Sequence, residues 1–123
     1  MSVSQSDLLP ALARIGITQE AARDHAIPDA VLEDIAAVAA LLPNHSLIPE
    51  TEVDDDGTAV LRWFSSDMRQ SFSLTFLGLG SVGGYLSTDR RDPAWRLSVD
   101  DGKRLSARLA DVAVQCIVCG RTD

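Results

Sequence analysis

Cysteine, basic residues and long apolar runs are scarce in this chain of 123 residues, and each scarcity narrows what the protein can be. Two cysteines, Cys116 and Cys119, are too few for a disulfide framework or for the four ligands of a structural zinc site. The longest apolar run, Ile35–Pro43, is much shorter than the roughly 20 residues that a transmembrane helix needs. The N-terminal stretch carries Asp7 and no basic residue, so we expect no signal peptide and a cytoplasmic protein.

The scarcity of basic residues is concentrated in the first half of the chain. Residues 1–57 contain eleven acids and two bases, residues 58–123 contain seven acids and nine bases, and the net charge is −7. Phosphate binding requires a basic face, so this balance argues against direct, non-specific binding of nucleic acid. It is compatible with an acidic face that meets a basic protein partner, or with a charged surface that only keeps the protein soluble.

What the chain does contain is hydrophobic periodicity of two kinds. Residues 1–43 repeat apolar side chains every three or four positions and therefore predict helices. The start and stop signals of these helices are the capping-box pair Ser4 and Asp7, followed by Gly16, Thr18, Pro28 and Pro43. From residue 47 the pattern alternates, and it predicts strands near 48–53, 58–64, 71–77, 82–88 and 94–99. Short turns rich in Asp, Ser and Gly separate these strands, so we expect an antiparallel meander.

A last helix is predicted over residues 101–119. Its expected apolar stripe consists of Leu105, Leu109, Val112, Cys116 and Cys119. A one-sided sheet must be covered, and this helix and the helix of residues 29–42 can cover it. The sequence therefore predicts a single α+β domain over residues 1–123, with helices in 1–43, an antiparallel meander of about five strands in 47–99, and a C-terminal helix packed on one sheet face.

The stretch Gly78–Gly84 matches the glycine pattern of a dinucleotide-binding turn. That turn binds pyrophosphate only if a helix begins at its third glycine. The residues that follow, Tyr85–Pro93, have a strand-like start, no helical period and a proline at their end. We therefore predict a hairpin turn at Gly78–Gly80, a bulge at Gly83 and Gly84, and no bound cofactor.

Cysteine and histidine offer no convincing catalytic or metal site. A redox CxxC normally begins a helix, whereas the CxxC of Cys116 and Cys119 ends a predicted helix. We interpret them as small core side chains, and a redox pair or a zinc half-site completed by a second chain are the alternatives. His25 and His45 stand alone in polar loops, so no Ser–His–Asp arrangement is expected. We predict a protein that is not an enzyme and binds no metal.

The acids between residues 50 and 56 are the strongest candidate for a binding surface. Glu52, Asp54, Asp56 and Gly57 resemble the start of a calcium loop, but Trp63 stands where that loop needs its bidentate acid. A hairpin turn explains the acids better. Aromatic residues on strands usually pack in the core, which we expect for Trp63, whereas an exposed one can bind a partner. The predicted partner-binding residues are Glu50, Glu52, Asp54, Asp55, Asp56 and Trp95.

The middle of the chain carries a series of motifs in a fixed order. These motifs are Leu41-Leu42-Pro43, Pro49-Glu50, Asp56-Gly57, Leu61-Arg62-Trp63, the alternating strand Phe72–Phe76, and Gly80. Through them, residues 28–88 resemble a loose group of small uncharacterised bacterial proteins from accessory and mobile-element loci. The resemblance implies an α+β fold with a meandering sheet and brings no catalytic residues. The acidity and the mix of elements also resemble type III secretion chaperones, which are small dimeric proteins that hold effectors unfolded.

These observations favour a non-catalytic protein-interaction module that binds and blocks a partner through an acidic face. The expected roles are an immunity or antitoxin-like protein, or an inhibitor of a nucleic-acid-binding complex whose acids mimic phosphates. The alternative is a small acidic chaperone or a small-ligand-binding protein. A homodimer is a further possibility, because an edge strand near 48–53 or the cysteine helix can pair across a two-fold axis.

Overall fold

A computed structural model describes residues 5–43, 45–88 and 93–120 of the chain. Ser4 of the predicted capping box and residues 89–92 of the last predicted turn lie outside the described residues. The helices are α1 (Gln5–Arg14), α2 (Gln19–Asp24), α3 (Asp29–Ala39), α4 (Gly102–Leu109) and α5 (Val112–Val118). The strands are β1 (Glu50–Val53), β2 (Ala59–Phe64), β3 (Ser71–Phe76), β4 (Ser81–Ser87) and β5 (Trp95–Ser98). No helix in the described ranges is long and apolar enough to cross a lipid bilayer.

The N-terminal helices follow most of the signals that the sequence indicates, but α3 ends at Ala39, three residues before the predicted end at Leu42. After α1, the chain turns at Gly16, whose φ of +83° lies in the left-handed region. The Thr18 hydroxyl then accepts a hydrogen bond from the Ala21 backbone N–H and starts α2. Pro28 occupies the N-cap position of α3. The Arg14 guanidinium donates to the carbonyl oxygen of Leu42 at 3.0 Å, so it joins the end of α1 to the turn that follows α3.

The five strands form one antiparallel sheet in the order β1-β2-β3-β4-β5, so each strand pairs with its neighbour in sequence. This confirms the predicted meander. Register fixes which side chains share a face, because directly paired residues project to the same side. Leu61, for example, pairs with Thr51 on β1 and with Leu74 on β3.

One face of the sheet is buried beneath the helices. On β2 and β3 every second residue is fully buried, and these residues are Ala59, Leu61, Trp63, Phe72, Leu74 and Phe76. Helix α5 packs on β2 and β3, and α3 packs on β3. The alternate residues of the strands project to the other side, which we call the open face. In the part of the chain that the structure describes, none of the open-face residues is buried.

The C-terminal region forms two helices, so the prediction of one helix over 101–119 is wrong. Helix α4 ends at Leu109, and the Asp111 carboxylate accepts from the Ala113 backbone N–H at 2.9 Å to start α5. An aspartate that caps backbone amides competes with continuation of the preceding helix. The restart changes the buried face, because Val112 is 79% exposed although it belongs to the predicted apolar stripe. The buried residues of α5 are Val114, Ile117 and Val118.

The predicted bulge at Gly83 and Gly84 is also wrong. Both glycines pair one-to-one with β3 and β5, so neither strand has an extra residue there. Gly84 instead makes room for an aromatic ring. An added Cβ atom at Gly84 would lie 2.1 Å from Cζ2 of Trp95. The glycine is therefore required by the close approach of a neighbouring side chain.

Candidate partner-binding surface

Five exposed acids lie along β1 and the turn that follows it. Glu50 and Glu52 are exposed on β1, which is an edge strand of the sheet, and Asp54, Asp55 and Asp56 are exposed in the turn. We call these five residues the acidic edge. Arg62 on β2 is 3.8 Å from Glu52, and the Glu52 side chain is 65% exposed. A pair this exposed contributes little to stability, so the acidic edge keeps its negative field.

Backbone geometry fixes the turn of the acidic edge. The Asp54 backbone N–H donates to the Thr58 carbonyl at 2.9 Å, and Gly57 has a φ of +87°, which favours glycine. The Asp56 carboxylate accepts from the Thr58 backbone N–H at 3.0 Å. Hydrogen bonds from the Thr58 backbone and hydroxyl hold the pKa of Asp56 below its usual range. Asp56 therefore carries its charge at neutral pH in a fixed position.

Trp95 lies on the other side of the molecule from these acids. It begins β5, the opposite edge strand, and it pairs with Gly84 on the helix-covered face. Four inter-strand spacings of about 4.8 Å separate the two edges. The Trp95 indole is half-buried, and the Arg108 guanidinium of α4 lies 5.7 Å from its ring centroid. The structure brings the five acids together and does not bring Trp95 to them.

Trp63, the two histidines and the two cysteines are the other residues that the sequence offered as site candidates. Trp63 is buried in the core, as predicted. His25 follows α2 and His45 follows α3, and both histidines are exposed. Cys116 lies in α5 and Cys119 caps its end, and both thiols are half-buried. Among the described residues, no group of three or more His, Cys, Asp or Glu side chains is placed to hold a metal ion.

The glycine-rich stretch forms a hairpin turn. Gly78 and Gly80 have φ values of +79° and +77°, and β4 begins at Ser81, so a strand follows where a dinucleotide site needs a helix. The Gly80 backbone N–H, which such a site would offer to phosphate, donates to the Asp34 carboxylate at 3.0 Å. The Gly80 carbonyl accepts from the Val99 backbone N–H at 2.9 Å. The turn is thus bonded both to α3 and to the segment after β5.

Asp34 is a residue that the sequence reasoning missed. It is 8% exposed and is the only buried charged side chain in the described part of the chain. Burial raises the pKa of Asp34, the hydrogen bond from Gly80 lowers it, and the nearby charge of Asp100 raises it, with a raised pKa as the net result. Its spacing was a usable signal, because Val31, Asp34, Ile35 and Val38 recur at helical intervals on one face of α3.

We expect Asp34→Asn to stabilise the protein at neutral pH. An asparagine keeps an oxygen acceptor for the Gly80 N–H and removes the buried charge. A carboxyl whose folded pKa is raised favours folding below its unfolded pKa and loses that contribution as pH rises through the folded pKa. The gain of the variant in free energy of unfolding should therefore be largest near pH 7 and shrink towards about pH 3. Urea denaturation across this pH range measures it.

Asp34→Ala is the matched control, because it removes the charge and the hydrogen-bond acceptor together. We expect it to be less stable than Asp34→Asn by about 1–3 kcal/mol at every pH, since the Gly80 N–H loses its partner and neither variant has a carboxyl that titrates. A stability difference between the wild type and Asp34→Asn that does not change with pH would contradict this account of Asp34.

Comparison of the chain with models of protein families, with curated proteins and with solved structures finds no match. The resemblances noted from the sequence therefore stay predictions.

Proposed function

We propose that this chain is a non-catalytic protein-interaction module that binds a basic protein through the acidic edge and blocks that partner's own binding surface. The observation that supports the proposal is the placement of five exposed acids on one edge strand and its turn. Opposite charge speeds the encounter of two proteins and orients them. Trp95 lies at the other edge and is not part of this surface.

The arrangement of the acids also suits a partner that normally binds nucleic acid. Glu50 and Glu52 are two residues apart on one strand, which separates their Cα atoms by about 7 Å. One DNA strand is likewise a regular row of negative charges, one for about every 3.4 Å of helix axis, and flexible carboxylates can follow such a row. We therefore propose an inhibitor or antitoxin-like role in the cytoplasm, in a bacterial or phage accessory locus, with the acids standing in for phosphates.

The proposal predicts that charge at the acidic edge, and not net charge alone, determines partner binding. A triple variant, Glu50→Gln, Glu52→Gln and Asp55→Asn, removes three charges from the edge and leaves the hydrogen-bonded Asp56 in place. Proteins of the native host are passed over the immobilised wild type and the variant, and the retained proteins are identified. We expect one specific basic protein that the wild type retains, that salt elutes, and that the variant loses.

The matched control removes the same number of charges elsewhere. Glu20→Gln, Asp24→Asn and Glu33→Gln change exposed acids on α2 and α3. We expect this control to retain the partner like the wild type. Equal loss of the partner from both triple variants, or retention that does not depend on salt, would refute the proposal. If the retained protein binds DNA, a DNA duplex should compete with the wild type for it.

A further inference from the structure

The open face of the sheet carries a charge pattern that begins at Glu50 and Glu52 of the acidic edge and continues across the sheet to Arg96, beyond the surface of the proposed function. One row of paired residues crosses the whole sheet, and it consists of Glu52, Val60, Thr75, Gly83 and Arg96. The row begins with an acid on β1 and ends with a base on β5. The middle of the row contains Thr75 and Gly83. Because threonine is small and glycine has no side chain, little projects from the centre of the open face.

A second row lies beside the first and has a related pattern. It runs from Glu50 through Arg62 and Ser73 to Tyr85. Arg62 on β2 and Tyr85 on β4 lie on either side of the central strand β3, and Ser73 lies between them. Tyr85 is 49% exposed although it is a large aromatic residue. Tyrosine is enriched at protein–protein interfaces relative to the rest of the surface.

We propose that the open face packs against the open face of a second copy of this chain. The two copies are related by a two-fold axis that lies between the sheets and runs parallel to β3. This rotation places β1 of one copy over β5 of the other, β2 over β4, and β3 over β3. Each row therefore lies over the same row of the partner in reversed order, as an isologous interface requires.

The reversed rows bring complementary side chains together. Glu52 of each copy faces Arg96 of the other, which gives two ion pairs at the two edges. Arg62 of each copy faces Tyr85 of the other, and a guanidinium over an aromatic ring is a favourable contact. Stacked sheets lie about 10 Å apart, a gap that a glutamate and an arginine can span together.

The centre of the interface is also compatible with close approach. Val60 on β2 of each copy faces Gly83 on β4 of the other, so a branched side chain meets a position that has no side chain. Ser73 and Thr75 on β3 face the same residues of the second copy. Small polar residues here allow the sheets to approach, and their hydroxyls can hydrogen-bond to each other.

Glu52 is available for this contact. Among the described residues, its one ion pair is with Arg62, at 3.8 Å and with both side chains at least one-third exposed. A pair of this kind is worth little, so exchanging it for a contact in a partly desolvated interface is favourable. Arg96 is exposed on β5.

Pairing through the edge strand β1 is a less favourable way to dimerise. A second β1 placed antiparallel beside the first would bring Glu50 and Glu52 close to the same acids of the partner. Like charges on paired strands are destabilising, and charged edge strands are a common protection against such pairing. The charges therefore favour contact through the face over contact through the edge.

The size of the open face predicts a weak dimer. The strands lie about 4.8 Å apart and are about 13 Å long at the edges and about 20 Å long in the centre, so the open face is a patch of at most about 24 by 20 Å. This is smaller than the roughly 800 Å² per partner of a standard stable interface. We therefore expect a dimer that dissociates on dilution and in high salt.

Charge reversal at the two ends of the first row tests the proposal. Glu52→Arg places two bases opposite each other in a homodimer, and Arg96→Glu places two acids opposite each other. Sedimentation velocity over a concentration series should show a reversible dimer for the wild type and a monomer for each variant. An equimolar mixture of the two variants should form the dimer again, because both contacts of the mixed pair join an acid to a base.

Controls separate this interface from the fold and from the proposed function. Asp55→Arg and Lys103→Glu make the same charge changes at exposed positions away from the open face and should dimerise like the wild type. Circular dichroism should show that all variants are folded. A wild type that stays monomeric at every concentration, or variants that do not recover the dimer when mixed, would overturn the proposal. Retention of the basic partner by Arg96→Glu tests the acidic edge independently, since that variant leaves all five acids in place.

Discussion

Replacing Trp63 by alanine is expected to lower the free energy of unfolding by about 3–5 kcal/mol, the cost that is usual for removing a buried tryptophan. Trp63 is 2% exposed and lies between the sheet and the helices. Its ring is 6.1 Å from that of Phe72, and its indole N–H donates to the Leu47 carbonyl at 2.8 Å. The substitution therefore removes both the packing of the Trp63 ring and its hydrogen bond to Leu47. Urea denaturation followed by far-UV circular dichroism measures the loss.

Trp63→Phe separates the two contributions. Phenylalanine keeps a ring against Phe72 but cannot donate a hydrogen bond to the Leu47 carbonyl. That hydrogen bond joins the segment before β1 to the core. We expect a cost of about 1–2 kcal/mol, composed of one net hydrogen bond and the smaller volume of the ring. If Trp63→Phe were as destabilising as Trp63→Ala, the hydrogen bond and not the packing would be the main contribution of Trp63.

Gly84→Ala is expected to destabilise the protein by about 1–3 kcal/mol, because the new methyl group overpacks a filled site. The added Cβ would lie 2.1 Å from Cζ2 and 2.3 Å from Cε2 of Trp95, so the indole has to move off β4. The movement also breaks the contact between the indole and the Arg108 guanidinium. We expect a lower midpoint of urea denaturation and a changed near-UV circular dichroism signal.

The neighbouring glycine is a matched control for this prediction. An added Cβ at Gly83 would lie 3.7 Å from the Trp95 carbonyl oxygen and 3.9 Å from Cβ of Thr75, which are ordinary contacts. Gly83→Ala should therefore be neutral or slightly stabilising, since glycine is a poor strand residue. Trp95→Ala should reduce the cost of Gly84→Ala when the two are combined. Equal effects of the two glycine substitutions would show that the Trp95 ring does not account for Gly84.

The sheet could be predicted from the sequence because its signal is local. Alternation in Phe72–Phe76 and in Ala59–Phe64 gives both the strand and its buried face, and the short turns between strands give the meander. The prediction of a single long C-terminal helix was wrong because the apolar spacing continues across Asp111, whereas the helical backbone is interrupted there. The N-cap preference of an aspartate and the apolar periodicity around it are competing signals, and the break can be predicted only if the first is given more weight than the second.

The role of Gly84 could not be predicted in the same way. A glycine pair within a strand is typical of a bulge, and the sequence does not show that an indole from the next strand lies across it. The Trp95 ring and Gly84 become neighbours only once the register of β4 and β5 is fixed. Asp34 and Gly80 are likewise distant in sequence and meet through the packing of α3 against the turn.

The candidate surface was partly predictable. Exposure of the five acids follows from an acidic strand and turn, and the structure places them together at one edge. Trp95 belongs to the last strand of a meander, which lies at the opposite edge from the first strand. The predicted topology thus already separated Trp95 from the acids, and only the face on which its ring lies required the structure.

The order of strands also has a consequence for the kinetics of folding. Every strand pairs with its neighbour in sequence, so the sheet can assemble by successive closure of short loops. The covering helices α3 and α5 come from opposite ends of the sheet's sequence, and their contacts close much longer loops. Since non-local contacts form more slowly, we expect the hairpins of β2, β3 and β4 to be native-like in the transition state and α5 to dock last.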